Sequence, residues 1–260
     1  MSGPADLDEA SSGGADPCRG RKTNARRVFS RIAGGYDALN RVMTLGVDVV
    51  WRRRALRILS GCAARAFCGG PPQSIIDVAA GTADFALGAA RRFPGARVVG
   101  VDVTPEMLDV GRRKVARAGL SGRVSLMEGD AQRLPFADAS FDCATCAFGF
   151  RNFPDRPRAL AEARRVLRPG GLLLVLELFR LESRILSSFT SSWLRVVTAL
   201  AARGAKAEYA YLRESMRHTA SAAEFAEEAR VAGFACERSV LFLPACRCMC
   251  FKVADEGRMA

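Results

Sequence analysis

Apolar residues recur along this chain in two alternating patterns, short uninterrupted runs and longer stretches with helical spacing. The runs Ser74–Val78, Arg97–Val103 and Phe141–Ala147 contain few polar residues, which predicts strands covered on both faces. Between them, residues 84–92 and 104–117 place apolar side chains three and four positions apart and predict helices. This alternation indicates a doubly wound α/β domain with a mostly parallel sheet.

Further runs complete the predicted sheet. Strands are expected over Arg123–Glu128 and Leu172–Leu178, and a last helix over 222–232. Two strands follow that helix, Ala235–Leu243 and Cys246–Val253. We therefore predict seven strands, with an antiparallel edge closing the sheet.

A turn of small residues follows the first strand and reads Asp77-x-Ala79-x-Gly81-x-Ala83. Such a turn allows a ligand close to the backbone, but small residues also fill tight strand-to-helix packing, and the loop alone leaves both interpretations open. About twenty residues after Gly81, Asp102 ends the second run, where a Rossmann-like fold places the carboxylate that accepts two ribose hydroxyls. Together the two features favour a nucleotide-type site.

The loop lacks the G-x-G-x-x-G dinucleotide signature. It resembles the acidic-x-G-x-G-x-G loop of class I S-adenosylmethionine (AdoMet) methyltransferases, with alanine at two of the three glycine positions. Each alanine would cost on the order of 1 kcal/mol if its position requires a positive φ. The resemblance implies AdoMet as cofactor, with its methionine half lined by Asp77, Gly81 and Thr82, its ribose by Asp102, and its adenine by Asp130 with Ala131.

Three other segments carry a more specific resemblance. Val28–Gly46 reads V-F-x-x-I-A-x-x-Y-D-x-x-N-x-x-M-T-x-G and is followed by Trp51-Arg52; Phe148–Asp155 reads F-G-x-R-N-x-x-D; Tyr209–Met216 reads Y-x-Y-L-x-E-S-M. These resemble elements of the ubiquinone/menaquinone biosynthesis C-methyltransferases (UbiE/MenG type). The resemblance covers most of the chain, whereas the ending at residues 243–252 departs from that family and leaves the substrate open.

This resemblance implies a Rossmann-like class I methyltransferase fold, with a seven-stranded, mostly parallel sheet, an antiparallel last strand, and N-terminal and inserted lid helices. It implies AdoMet-dependent C-methylation of a demethylated polyprenyl benzoquinol or naphthoquinol. Arg151 and Asn152 are then candidates for orienting the ring oxygen, and Tyr36 and Asp37 for closing over it. A purely structural Arg151, paired with Asp155, is equally open.

The predicted organisation is a disordered tail over residues 1–23 and a single methyltransferase domain over 24–260. Within that domain, residues 24–60 form either a helical cover on the sheet edge or a lid over the site, and residues 183–217 form inserted helices. The stretch Ile185–Leu200 carries a broad apolar stripe that includes Trp193, which suits either core packing or an apolar mouth for a lipid tail.

Charge and cysteine content limit the partners, the compartment and the metal sites that we expect. The net charge of +12 comes mostly from arginines scattered at helical spacing, which is typical of solvated helix faces rather than of a phosphate-binding stripe, and we expect no nucleic-acid partner. Nine cysteines without a secretory signal favour a reducing cytosol. Cys143-x-x-Cys146 and Cys246-x-Cys248-x-Cys250 could ligate zinc, but both lie in predicted buried strands, and we expect no metal.

Localisation is expected to be cytoplasmic, with peripheral contact at the inner face of the membrane and a homodimer left open. No run of about twenty apolar residues is present. Two rival interpretations remain: an AdoMet methyltransferase acting on another small molecule, and a basic RNA-binding protein that retains the fold.

Overall fold

The computed structural model describes residues 26–68, 70–181, 219–243 and 245–254. The predicted tail (1–23), the inserted helices (183–217) and the interpretation of Trp193 as membrane-facing lie outside these ranges. Among the helices that are described, none is long and apolar enough to cross a bilayer.

Seven strands form one sheet, as predicted. Their spatial order is β3-β2-β1-β4-β5-β7-β6. The first five are parallel, and β7 runs antiparallel to both of its neighbours. The strands are β1 (Ser74–Val78), β2 (Arg97–Asp102), β3 (Val124–Glu128), β4 (Phe141–Ala147), β5 (Leu167–Leu178), β6 (Phe234–Leu243) and β7 (Cys246–Val253).

The antiparallel pairing at the edge of the sheet is as predicted, with β7 between β5 and the edge strand β6. One detail differs from the prediction. Strand β5 begins at Leu167 rather than Leu172, because Leu167 already pairs with Phe141 before an irregularity shifts the register. Strand β7 is buried along almost its whole length, as expected of a strand covered on both faces.

Helices cover both faces of the sheet. One apolar cluster joins α3, α4 and α5 to one face, and a second joins α6 and α7 to the other. The helices are α1 (26–32), α2 (Tyr36–Thr44), α3 (Val47–Ala66), α4 (Asp84–Arg92), α5 (Pro105–Arg117), α6 (Arg156–Val166) and α7 (Ala222–Val231).

Helix α3 belongs to the core. Trp51, Ala55 and Leu59 recur at four-residue spacing on one side of the helix and are buried against β5 and α4. The helix runs to Ala66, beyond the expected end of the N-terminal segment at residue 60. Helix α2, by contrast, has no buried residue. The N-terminal segment therefore divides into a core helix and two shorter helices outside the core.

The loop after β1 has a strained backbone. Ala79 has φ 56°, Gly81 φ 54° and Ala83 φ 65°, so both alanines occupy the left-handed region that the glycine pattern predicts. At each alanine this conformation costs on the order of 1 kcal/mol. The amide of Ala80 donates to the carbonyl oxygen of Val101 at 3.0 Å and holds the loop against β2.

The candidate zinc cysteines lie in buried strands, as predicted. Cys143 and Cys146 are in β4, and Cys248 is in β7 among apolar neighbours. Burial raises the pKa of Cys248 to about 12, so its thiol is protonated at neutral pH. Within the described ranges, no group of three or more His, Cys, Asp or Glu side chains could hold a metal ion.

We expect Gly149→Ala to destabilise the protein. A Cβ at this position would lie 2.6 Å from Cys146 Sγ and 2.8 Å from Ala79 Cβ, both inside the packed β1–β4 corner. Overpacking of this kind costs about 1–3 kcal/mol. Thermal melting measures the effect, with Gly122→Ala as the matched control because nothing lies within 4 Å of its added Cβ. Equal melting temperatures for the two variants would contradict the described packing.

Candidate active site

The carboxyl ends of β1, β2 and β4 border an open cleft of about 740 Å³. Strand β1 lies between β2 and β4, so the chain crosses the sheet in opposite directions on its two sides and leaves a crevice there. A smaller pocket of about 330 Å³ adjoins this cleft. The two share the lining residues Tyr36, Ala79, Gly81 and Ala147.

Most of the predicted site residues meet at these two pockets. The cleft is lined by Tyr36, Gly81, Asp102, Asp130, Ala131 and Asn152. The smaller pocket is lined by Asp77 and Thr82, together with Tyr36 and Gly81. Asp37 and Arg151 line neither.

Asp102 links the second strand to the loop. One carboxylate oxygen accepts a hydrogen bond from the amide of Gly81 at 2.9 Å, and the other from the amide of Thr104 at 2.9 Å. Burial raises the pKa of Asp102 even though these bonds favour the ionised form. Each oxygen keeps a lone pair for a further donor, which is what recognition of two ribose hydroxyls needs.

Asp77 carries a buried oxygen without a partner. Its side chain is 1% exposed, and Oδ1 accepts from Thr145 Oγ1 at 2.7 Å, while Oδ2 has no hydrogen-bond partner. Burial raises the pKa of Asp77 to about 7. A ligand ammonium group would satisfy Oδ2 and favour the charged form.

The loop and cleft fit AdoMet on two further grounds. A Cβ on Gly81 would lie 3.3 Å from Met107 Cε, so a side chain there would crowd the gap between the loop and α5. At the opposite end, Asp130 Oδ1 accepts from the amide and the side-chain amide of Gln132, at 3.0 and 3.2 Å. These contacts fix the turn at Asp130, and Asp130 and Ala131 both line the cleft.

Asp37 is tethered to the protein rather than turned to the cleft. Its carboxylate accepts from Thr82 Oγ1 at 2.6 Å and from Lys114 Nζ at 2.8 Å. Lys114 also pairs with Asp84. Burial alone would raise the pKa of Asp37, but the bonds from Lys114 and Thr82 outweigh it and lower the pKa. The cluster fastens α2 to α4 and α5 and holds Tyr36 over the site.

Arg151 forms a buried ion pair. Nη1 donates to Glu177 Oε1 at 2.8 Å and to the carbonyl oxygen of Phe148 at 2.6 Å, and the two charged side chains are only 7% and 2% exposed. The sequence left open a pairing of Arg151 with Asp155, but the ion pair is with Glu177. Asp155 caps α6 by accepting from the amide of Arg158, whereas Glu177 lies one residue before the end of β5, beside β4.

Phe148 shows why Arg151 and Asn152 converge. It follows β4 with φ 62°, a strained value for an aromatic residue. Its carbonyl oxygen accepts from Arg151 Nη1 and from Asn152 Nδ2, the latter at 3.3 Å. Its ring lines the cleft and lies below the guanidinium of Arg52 at 5.2 Å.

Sequence reasoning did not assign a role to Phe148, Arg52 or Lys114. The first two were present in the motifs Phe148–Asp155 and Trp51-Arg52, so a signal existed. Lys114 had none, because it is one cation on an arginine-rich helix and its partner Asp37 lies 77 positions away.

We expect Asp77→Asn to change the pH dependence of stability. The folded pKa of about 7 lies above the ordinary 3.8, so between about pH 4 and 7 the folded protein holds more protons than the unfolded chain. The free energy of unfolding therefore falls as the pH rises through this window, by at most about 1.4 kcal/mol per pH unit. Denaturant unfolding of the ligand-free protein should show a flatter profile for Asp77→Asn.

Asp142→Asn is the control for that measurement. Burial alone would raise the pKa of Asp142, but bonds from the amides of Gln73 and Ser74 lower it. Its stabilisation is thus present above the ordinary pKa and lost only in acid. The variant should keep the slope between about pH 5 and 7. A slope that is as steep in Asp77→Asn as in the unaltered protein would refute the raised pKa of Asp77.

Asp102→Asn is expected to weaken AdoMet binding by about 10- to 100-fold, because charge-assisted hydrogen bonds contribute about 1.5–3 kcal/mol each. Calorimetry measures the affinity, and melting reports the part of the effect that comes from the lost bonds to Gly81 and Thr104. Asp109→Asn, an exposed substitution on α5, is the matched control. Unchanged affinity in Asp102→Asn would remove this residue from the site.

Comparison with known proteins agrees with this geometry. A model of the ubiE/COQ5 methyltransferase family matches residues 19–241. A demethylmenaquinone methyltransferase of Deinococcus radiodurans is 43% identical over 212 residues, which are 80% of this chain and 84% of that protein. A ubiquinone/menaquinone biosynthesis C-methyltransferase of Paracoccus denitrificans is 39% identical over 211 residues, or 80% and 81% of the two chains.

Among solved structures, a SAM-dependent methyltransferase of Thermotoga maritima, described as a possible histamine N-methyltransferase, superimposes with a TM-score of 0.59. It is 20% identical and covers 87% of this chain and 98% of its own, which supports the fold. The sequence matches and the AdoMet-type cleft agree, and the chain belongs to the ubiE/COQ5 family of AdoMet-dependent methyltransferases.

Proposed function

We propose that this protein methylates a ring carbon of a demethylated polyprenyl quinol, a benzoquinol or a naphthoquinol. The observation that carries the proposal is an aromatic wall in the same cleft as Asp102, formed by Phe29, Tyr36, Phe148 and Phe153. Flat rings of this kind pack well against a quinol ring. The quinone-biosynthesis names of the relatives from Deinococcus radiodurans and Paracoccus denitrificans support the same substrate class.

AdoMet supplies a methyl group activated by the positive sulfonium. The reduced ring is required because a deprotonated hydroxyl raises the electron density at the adjacent carbon. With AdoMet bound, that carbon would accept the methyl group in line with the carbon–sulfur bond and release S-adenosylhomocysteine, and the ring proton would then leave to a carboxylate or water. The protein's tasks are alignment and stabilisation of the phenolate.

In this proposal the residues divide into groups with different tasks. Asn152 lines the cleft and orients the ring oxygen, and Tyr36 covers the ring. Arg151 acts as a positioning residue, because its guanidinium donates both to the carbonyl oxygen of the strained Phe148 and to the carboxylate of Glu177. Asp37 acts through its tether to Thr82 and Lys114.

The cofactor half of the proposal follows the two pockets. Asp77, Gly81 and Thr82 border the smaller pocket and take the methionine half of AdoMet. Asp102 takes the ribose, and Asp130 with Ala131 takes the adenine at the far end of the cleft.

The lipid tail extends the proposal to the membrane. A polyprenyl substrate resides in the bilayer, so we propose a cytoplasmic protein with peripheral contact at the inner membrane face. The net charge of +12 supports attraction to anionic lipid. The homodimer stays a prediction.

Product analysis tests the function. The purified protein is given AdoMet with a deuterated methyl group and either a demethylated naphthoquinol or the matching benzoquinol, and mass spectrometry follows the label. We expect one labelled methyl on the ring carbon, and no product from the oxidised quinones because they lack the ionisable hydroxyl. Asn152→Ala should reduce turnover with little change in AdoMet affinity.

A protein that binds AdoMet but methylates neither quinol would contradict the proposal. That result would favour the alternative of another small-molecule substrate, which the departure at residues 243–252 supports.

A further inference from the structure

Helix α3 places Arg52 in the smaller pocket with unused hydrogen-bonding capacity. Its side chain is 13% exposed, and Nε is buried without a hydrogen-bond partner. Asp48 Oδ2 lies 3.7 Å from Nε, close enough for charge attraction and too far for a hydrogen bond. A buried donor without a partner is costly and therefore indicates a missing acceptor.

The same pocket also contains a buried acceptor that lacks a donor. Asp77 Oδ2 is a buried acceptor without a donor, and Arg52 and Asp77 both line the pocket without a hydrogen bond between them. A pocket that presents a free cationic donor on one side and a free anionic acceptor on another suits a ligand group that carries both charges. An α-amino acid is such a group, because its carboxylate and ammonium are attached to one carbon.

We propose that Arg52 binds the carboxylate of the methionine moiety of AdoMet, while Asp77 accepts its ammonium group. The guanidinium fork matches a carboxylate with two parallel bonds. This inference rests on the use of AdoMet and is independent of the quinol substrate.

Neighbouring side chains orient the guanidinium of Arg52. Asp48 attracts the guanidinium, and Asp48 Oδ1 in turn accepts from Thr44 Oγ1 at 3.0 Å. The ring of Phe148 lies 5.2 Å below it. Because Phe148 also lines the larger cleft, the carboxylate anchor and the aromatic wall contact one another. Arg52 therefore joins the methionine end of the site to the substrate end.

Ligands that differ only at the amino-acid end test the assignment. Calorimetry compares AdoMet with decarboxylated AdoMet, which keeps the ammonium group, and with 5′-methylthioadenosine, which lacks the whole amino-acid end. For the unaltered protein we expect decarboxylated AdoMet to bind about 10- to 100-fold more weakly than AdoMet, the range given by one charge-assisted contact. Equal affinities would overturn the proposal without any variant.

Arg52→Gln should remove that preference. AdoMet affinity is expected to fall about 10- to 100-fold, whereas decarboxylated AdoMet and 5′-methylthioadenosine should bind as before. The AdoMet affinity of Arg52→Lys should lie between those of the unaltered protein and Arg52→Gln, because lysine keeps the positive charge but lacks the planar guanidinium fork. Arg53→Gln, an exposed neighbour on the same helix, is the matched control and should bind all three ligands normally.

Two outcomes would overturn the assignment. An equal loss for all three ligands in Arg52→Gln would mean that Arg52 only supports the fold or the ring of Phe148. Unchanged AdoMet affinity would mean that another group binds the carboxylate. Neither outcome involves the quinol, so failure here is separable from failure to methylate it.

Discussion

The carboxylate of Asp102 is the interaction on which the rest of the site depends. By accepting from the amides of Gly81 and Thr104, it fixes the loop after β1 and the first turn of α5 relative to each other. Thr104 is the N-cap residue of α5, and Gly81 lies in the loop that leads into α4. Asparagine at this position could accept from only one of these two amides and alanine from neither, at roughly 1–3 kcal/mol for each unpaired donor, before any ligand is considered. Cofactor recognition and local folding therefore share one side chain.

The strained loop after β1 also depends on the carboxylate of Asp102. Ala79 and Ala83 adopt left-handed backbone conformations that alanine disfavours. Their conformations persist because two adjacent amides between them are bound to β2, that of Ala80 to the carbonyl oxygen of Val101 and that of Gly81 to the carboxylate of Asp102. A third strained residue, Phe148, lines the same cleft as Ala79, and Arg151 and Asn152 donate to its carbonyl oxygen. Of the six described non-glycine residues with positive φ, these three lie in the two segments that border the site, and Leu45, Cys68 and Ala139 lie in turns elsewhere.

The sequence predicted what local pattern determines. Seven strands, the helices between them and the position of Asp102 follow from apolar runs and spacing, because these depend on neighbours a few residues apart. The insertion of β7 between β5 and β6 does not, since it depends on which edge a hairpin adopts in three dimensions. The partner of Arg151 was missed for the same reason. Glu177 is 26 positions away and arrives beside it only through the pairing of β4 with β5.

The buried charges of the site then separate into two kinds. Asp37 with Lys114, and Arg151 with Glu177, are paired. The first pair links α2 to α5, and the second links the turn after β4 to β5. Breaking such a pair leaves an uncompensated buried charge, which costs about 3–5 kcal/mol in a fully buried case such as the second. Arg52 Nε and Asp77 Oδ2, by contrast, have no hydrogen-bond partner among the described residues. Folding alone gives no reason to keep two unsatisfied polar atoms in one pocket, whereas a zwitterionic ligand would satisfy both. The paired side chains therefore build the site, and the unpaired atoms of Arg52 and Asp77 bind its ligand.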